Sequence, residues 1–103
     1  MTEVRHLPDD YVFAIIVDDE MAGYTEYRVG PRVRAFMHTI VEDKFRGKGL
    51  ASQLVKWALD ETRGDGLLVE PYCPFTRRYI KEHTEYLDLV PKDRRADFDL
   101  PED

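Results

Sequence analysis

The segment Lys44-Phe45-Arg46-Gly47-Lys48-Gly49-Leu50-Ala51 has the residue types of an anion site. Its glycines let the backbone turn tightly and let a ligand approach with no Cβ in the way. If a helix starts here, its first N–H groups lack internal partners and carry the positive end of the helix dipole. Lys44, Arg46 and Lys48 add local charge, and the whole suits a phosphate. The plain alternative is a strand-to-helix turn with solvated lysines. No G-x-x-x-x-G-K-[ST] is present, so a nucleoside-triphosphate loop is unsupported. No G-x-G-x-x-G follows the strand, so the dinucleotide fingerprint fails as well.

Cys73 is the single cysteine and stands directly before Pro74. Proline is favoured as the first helical residue, which makes Cys73 the N-cap of a helix. The N–H groups of Phe75 or Thr76 would then meet the sulfur, favour a thiolate and lower the pKa from roughly 8.5. The alternative is a small buried hydrophobe. His38 lies in an apolar run, where spacing alone reads as a core histidine bonded to backbone. His6 reads as a solvated terminal residue. His83 and Tyr86 read as a helix-end cap and a packing aromatic, or as walls of a site. Arg77, Arg78 and Lys81 read as a solvated helix face. Three histidines and one cysteine form no spaced ligand cluster, so no catalytic metal is expected.

The elements that must position these residues follow from hydrophobic period. The 103 residues are one domain's worth of chain, too small for a deep two-domain cleft. With 43% hydrophobic and 35% charged residues, the composition is that of a soluble globular domain. Tyr11–Val17 reads as a strand apolar on both faces, and Ala22–Val29 as a half-exposed strand. Val33–Val41 reads as a central strand, with Val33, Ala35, Met37, Thr39 and Val41 on one face and Phe36, His38 and Ile40 on the other. Short spacers favour an antiparallel meander. Leu50, Ala51, Leu54, Val55, Ala58 and Leu59 then form the stripe of an amphipathic helix, stopped at Arg63-Gly64. Leu67–Glu70 is a short buried strand, parallel to the third through a right-handed crossover. A second helix opens at Pro74, and Thr84 caps a further turn ended by Pro91. The fold class is α+β, with order β-β-β-α-β-α. Residues 1–91 form the domain, and 92–103 read as a charged, mobile tail with Phe98 and Leu100 isolated.

Arg46-Gly47-Lys48-Gly49-Leu50-Ala51 resembles the acyl-CoA signature Q/R-x-x-G-x-G/A of the GNAT superfamily of N-acetyltransferases, in its strand-to-helix context. Gly23, His38-Thr39, Pro71-Tyr72-Cys73-Pro74-Phe75 and His83-Thr84-Glu85-Tyr86 extend the likeness toward a small branch, the minimal YjdJ-type acetyltransferases. Thr84 and Glu42-Asp43 depart from it where prolines are usual. The resemblance implies an acetyl-CoA-dependent N-acetyltransferase with a minimal GNAT-like fold, its fourth strand parallel to the third and splayed from it. It implies that Gly47 through Ala51, with Arg46, hold the pyrophosphate. Thr39, Ile40 and Val41 would pair with the pantetheine arm as a peptide pairs with a sheet edge. The resemblance also implies catalytic roles for Cys73, as an acetyl carrier, and for His38, as a general base on the amine or on Cys73; Tyr86, where it walls the site, would be catalytic as a proton donor near the CoA sulfur.

Other readings are a CoA-binding module without turnover and a thiol enzyme built on Cys73 and His38. With 15 Lys+Arg against 21 Asp+Glu, the charge of -6 argues against nucleic acid and anionic membrane as partners. The expected partner is an amine acceptor, small molecule or protein, met by a monomer. The lone thiol, the lack of a signal-peptide core and the shortness of Val12–Val17 point to the cytoplasm. With the first strand at about Tyr11, the acceptor side is expected to be shallow and open.

Overall fold

Strand pairing begins earlier than the sequence pattern suggests. The computed structural model describes residues 1–102. Its strands are β1 (Thr2–Leu7), β2 (Val12–Val17), β3 (Glu20–Gly30), β4 (Val33–Val41) and β5 (Leu68–Pro71); its helices are α1 (Leu50–Gly64) and α2 (Pro74–Glu82). They form one sheet in the order β1-β2-β3-β4-β5, antiparallel throughout except for the parallel pair β4–β5.

β1 was not expected, because Thr2, Glu3, Arg5 and His6 make the segment look polar. It pairs with β2 along its whole length, from Thr2 opposite Val17 to Leu7 opposite Val12. Val4 packs against the core. His6 is not a solvated terminal residue: its ring stacks on Phe13 at 4.2 Å and bonds the Tyr27 hydroxyl. Glu3 and Arg5 alternate to the opposite face, as period two requires.

α1 covers one face of the sheet. Leu54, Val55, Ala58 and Leu59 are buried against Phe13, Ile15, Phe36 and Val69. Leu54, Val55 and Leu59 each contribute about 1.5–3 kcal/mol by leaving water. Arg34 is buried among them, over the Phe13 and Tyr27 rings, and bonds Thr62 and Asp65.

β4 departs from simple alternation. Glu26 faces His38, but the next residue, Tyr27, faces Phe36, so Met37 is an extra residue. Such a bulge reverses the phase of a strand. Phe36 and Thr39 therefore share the α1 face, which strict alternation had placed on opposite sides. His38 and Ile40 fall on the other face.

β5 pairs with β4 only between Val33 and Phe36. The last tie is the Cys73 N–H, which donates to the Phe36 carbonyl at 2.8 Å. Met37–Val41 lie past it, so the two strands leave a notch at the sheet edge. The C-terminal segment is folded rather than a free tail. Lys92–Phe98 forms a 3-10 turn, and Phe98 and Leu100 are buried. Phe98 meets Tyr72 edge-on at 5.2 Å, while Arg94 reaches Glu70 at 3.0 Å. The two apolar residues looked isolated because their charged neighbours face water. Among the described residues, no helix is long and apolar enough to cross a membrane.

Candidate active site

The backbone after β4 makes one 3-10 turn at Asp43–Phe45 and enters α1 through Gly49. Gly47 and Gly49 have φ of 81° and 71°, the left-handed region that costs other residues energy. A Cβ built on either would meet no atom within 4 Å, so space beside them is open. No side chain caps α1, which leaves its first N–H groups free to bind an anion.

These groups open on a hollow of about 400 Å³. One wall is the free stretch Thr39, Ile40 and Val41; another is Arg46, Gly47, Gly49, Leu50 and Ala51. Phe45, Ser52 and Phe75 complete it. Phe45 sits inside the sequence motif and Ser52 directly after it, but nothing in the sequence signals that Phe75, across the notch, joins them. Lys48 does not line the hollow. Its ammonium, like that of Lys44, lies over the Phe45 ring, and Lys44 and Arg46 pair with Glu20 and Asp43. The cations are thus a surface fringe, and the built part of the site is backbone. Free helix N–H groups can hold an anion, and a free strand edge can pair with an extended chain that carries amides.

Cys73 is the N-cap of α2 and only 3% exposed. Its Sγ lies 3.3 Å from Thr39 Oγ1, which lies 2.9 Å from Thr25 Oγ1. Burial pushes the thiol up, but the Thr39 hydroxyl and the polar groups of Thr76 and Phe75 outweigh it and bring the thiol below its ordinary value. The helix start thus favours the thiolate.

The structure does not bring His38 to Cys73. His38 is exposed, opposite Glu26, on the face that the Met37 bulge turns away from Thr39. Tyr86 is also elsewhere. It is buried, its hydroxyl donates to Asp60 Oδ1 of α1 at 2.7 Å, and Lys56 Nζ lies 3.4 Å away. Burial and the Asp60 carboxylate raise its pKa, so it keeps its proton at neutral pH. Neither residue lines the hollow. His83 stacks on Tyr79 at 4.0 Å and its Nδ1 is 2.9 Å from the Tyr79 carbonyl, which closes the end of α2. Among the described residues, no group of His, Cys, Asp and Glu has the arrangement of a metal site.

The mixed sheet, the helix entered through a glycine turn and the strands that part beside it recur together in solved structures. A GCN5-like protein from Staphylococcus aureus, solved by NMR, superposes with a TM-score of 0.66 at 22% identity, covering 86% of this chain and 87% of that one. A ribosomal-protein-alanine N-acetyltransferase from Brucella melitensis superposes with a TM-score of 0.56 at 20% identity, over 78% of this chain and 62% of that one. At those identities the likeness is one of fold. The sequence goes further: residues 12–89 match the family model of GCN5-related N-acetyltransferases. The chain belongs to that family. Protein NATD1 of mouse and of human is each 37% identical over 64 residues, 60% of this chain. The chain spans 58% and 57% of those relatives' lengths, respectively.

Proposed function

We propose that this protein transfers an acetyl group from acetyl-CoA to an amine. The observation that carries the proposal is the continuity of the hollow, from the uncapped N-terminus of α1 to the free edge of β4 and on to Thr39. Gly47 through Ala51 hold the pyrophosphate with backbone N–H groups. Thr39, Ile40 and Val41 bond the pantetheine arm as an added strand would. The thioester then rests in the notch between β4 and β5, where backbone N–H groups polarise its carbonyl.

In transfer, the neutral amine nitrogen attacks the carbonyl carbon, the carbon–sulfur bond breaks, and the CoA thiolate leaves. A base takes the ammonium proton. His38, on the face away from the hollow, serves the acceptor amine and not Cys73. Cys73 offers a second route. Its thiolate attacks first, CoA leaves, and the amine then breaks the new thioester. Mass analysis after exposure to acetyl-CoA without acceptor separates the routes: an acetyl adduct on Cys73 marks the second, and its absence removes it. A cationic acceptor suits the net charge of -6.

A CoA-binding module without turnover is the second reading, favoured by the shielding of Cys73 and the separation of His38 from it. An amine panel assayed for CoA release decides. Acetylated amine supports the transferase, and binding of CoA with no product from any amine class supports the module. Failure to bind CoA by calorimetry overturns both.

A further inference from the structure

Thr25 is fully buried in β3, between Phe13 of β2 and Thr39 of β4. Valine has nearly the same shape and no hydroxyl to desolvate, so packing alone gives no reason for threonine at this depth. Its Oγ1 lies 2.9 Å from Thr39 Oγ1, and that oxygen lies 3.3 Å from Cys73 Sγ. A hydroxyl holds one proton, and a thiolate only accepts. Once the sulfur is ionised, the directions are fixed: Thr39 donates to Sγ and Thr25 donates to Thr39. Were Thr25 absent, Thr39 could turn its proton elsewhere.

The start of α2 agrees. Thr76, in the first turn of α2, is fully buried, and its hydroxyl completes no hydrogen bond of its own. Thr76 is nevertheless among the groups that favour the charged sulfur. A fully buried hydroxyl left without a partner is costly, and a charged sulfur nearby lowers that cost.

We propose that Thr25 is a positioning residue that acts through Thr39, committing the Thr39 proton to Cys73 Sγ in a relay from β3 to the start of α2. The relay rests on the reading of Cys73 as a working sulfur. It belongs to the free protein, so a measurement without acetyl-CoA tests it apart from transfer.

The test is an NMR titration of the Cys73 Cβ chemical shift in the wild type, Thr25→Val, Thr25→Ser, Thr39→Val and the Thr25→Val/Thr39→Val double variant. Polarisation through one extra hydrogen bond strengthens the next by a modest fraction. Thr25→Val is therefore expected to raise the Cys73 titration midpoint by about 0.3–0.6 pH, a roughly two- to fourfold loss of thiolate below the midpoint. Thr25→Ser restores the wild-type midpoint. Thr39→Val raises it further, and in that background Thr25→Val adds nothing. A Thr25→Val midpoint equal to wild type overturns the relay, as does an equal shift with Thr39 already removed. If Thr39→Val does not fold, the Thr25→Val and Thr25→Ser pair still decides. A shifted midpoint in a protein that transfers no acetyl group keeps the relay and removes the transferase reading; transfer with an unmoved midpoint does the reverse.

Discussion

Gly49→Ala separates the cost of a backbone conformation from the loss of a ligand. Gly49 holds φ at 71°, and a Cβ placed there meets nothing within 4 Å. The substitution therefore adds no clash, only the strain of the left-handed region, about 1–2 kcal/mol. For a domain of this size that lowers Tm by roughly 4–15 °C and leaves the protein folded. Binding should suffer more. Each charge-assisted hydrogen bond from the helix start is worth about 1.5–3 kcal/mol, and 1.4 kcal/mol is a factor of ten. Turning even one N–H away costs CoA at least about tenfold in Kd. Gly64→Ala is the control. Gly64 is the last residue of α1, with open space where a Cβ would go and no positive φ. There alanine should stabilise by about 0.5–1 kcal/mol and leave CoA binding unchanged. Calorimetry with CoA and thermal melts on both variants give the full comparison. Wild-type CoA affinity in a folded Gly49→Ala protein would refute the placement of the pyrophosphate at this turn.

Other outcomes follow from single contacts. Burial and the neighbouring Arg34 guanidinium lower the His6 pKa in the folded state. The unfolded chain then binds the proton more readily, so stability is full above the ordinary histidine value and falls as pH drops through the folded one. The urea midpoint should decline between neutral pH and pH about 5, and His6→Gln should flatten that decline; an equal slope in both proteins removes His6 as its source. Phe98→Ala should cost about 3–5 kcal/mol by denaturant melt, since the ring is buried against Tyr72; an unchanged midpoint would mean the C-terminal segment is loose. Tyr86→Phe should cost about 0.5–1.5 kcal/mol through the lost bond to Asp60 and leave kcat for acetyl transfer as it was; a large drop in kcat with intact stability would return Tyr86 to the chemistry.

What the sequence discloses is what local pattern carries. The stripe from Leu50 to Leu59 forms α1, and Cys73-Pro74 opens α2, because helix period and proline placement are properties of neighbouring residues. The glycine turn is legible for the same reason, and its residues from Arg46 to Ala51, Lys48 apart, gather on one hollow. β1 is not legible, since Val4 is its one clearly apolar inward residue and its stability comes from pairing with β2. The C-terminal turn hides likewise, because Phe98 and Leu100 find their partners only in three dimensions. The Tyr86–Asp60 bond spans 26 positions, a separation that no periodicity argument reaches.

The Met37 bulge decides which side chains of β4 face which side of the sheet. Without it, His38 would share the face of Phe36 and point into the core under α1, while Thr39 would point away from Cys73. With it, Thr39 turns toward the sulfur and His38 turns out to the exposed face. On the other face His38 is exposed to solvent opposite Glu26, outside the core under α1. The extra residue thus places a thiol-holding hydroxyl and a solvent-linked imidazole on consecutive positions but opposite sides of one strand. In the proposed transfer, the donor lies on the Thr39 side of the strand and His38 faces the side from which the amine would arrive.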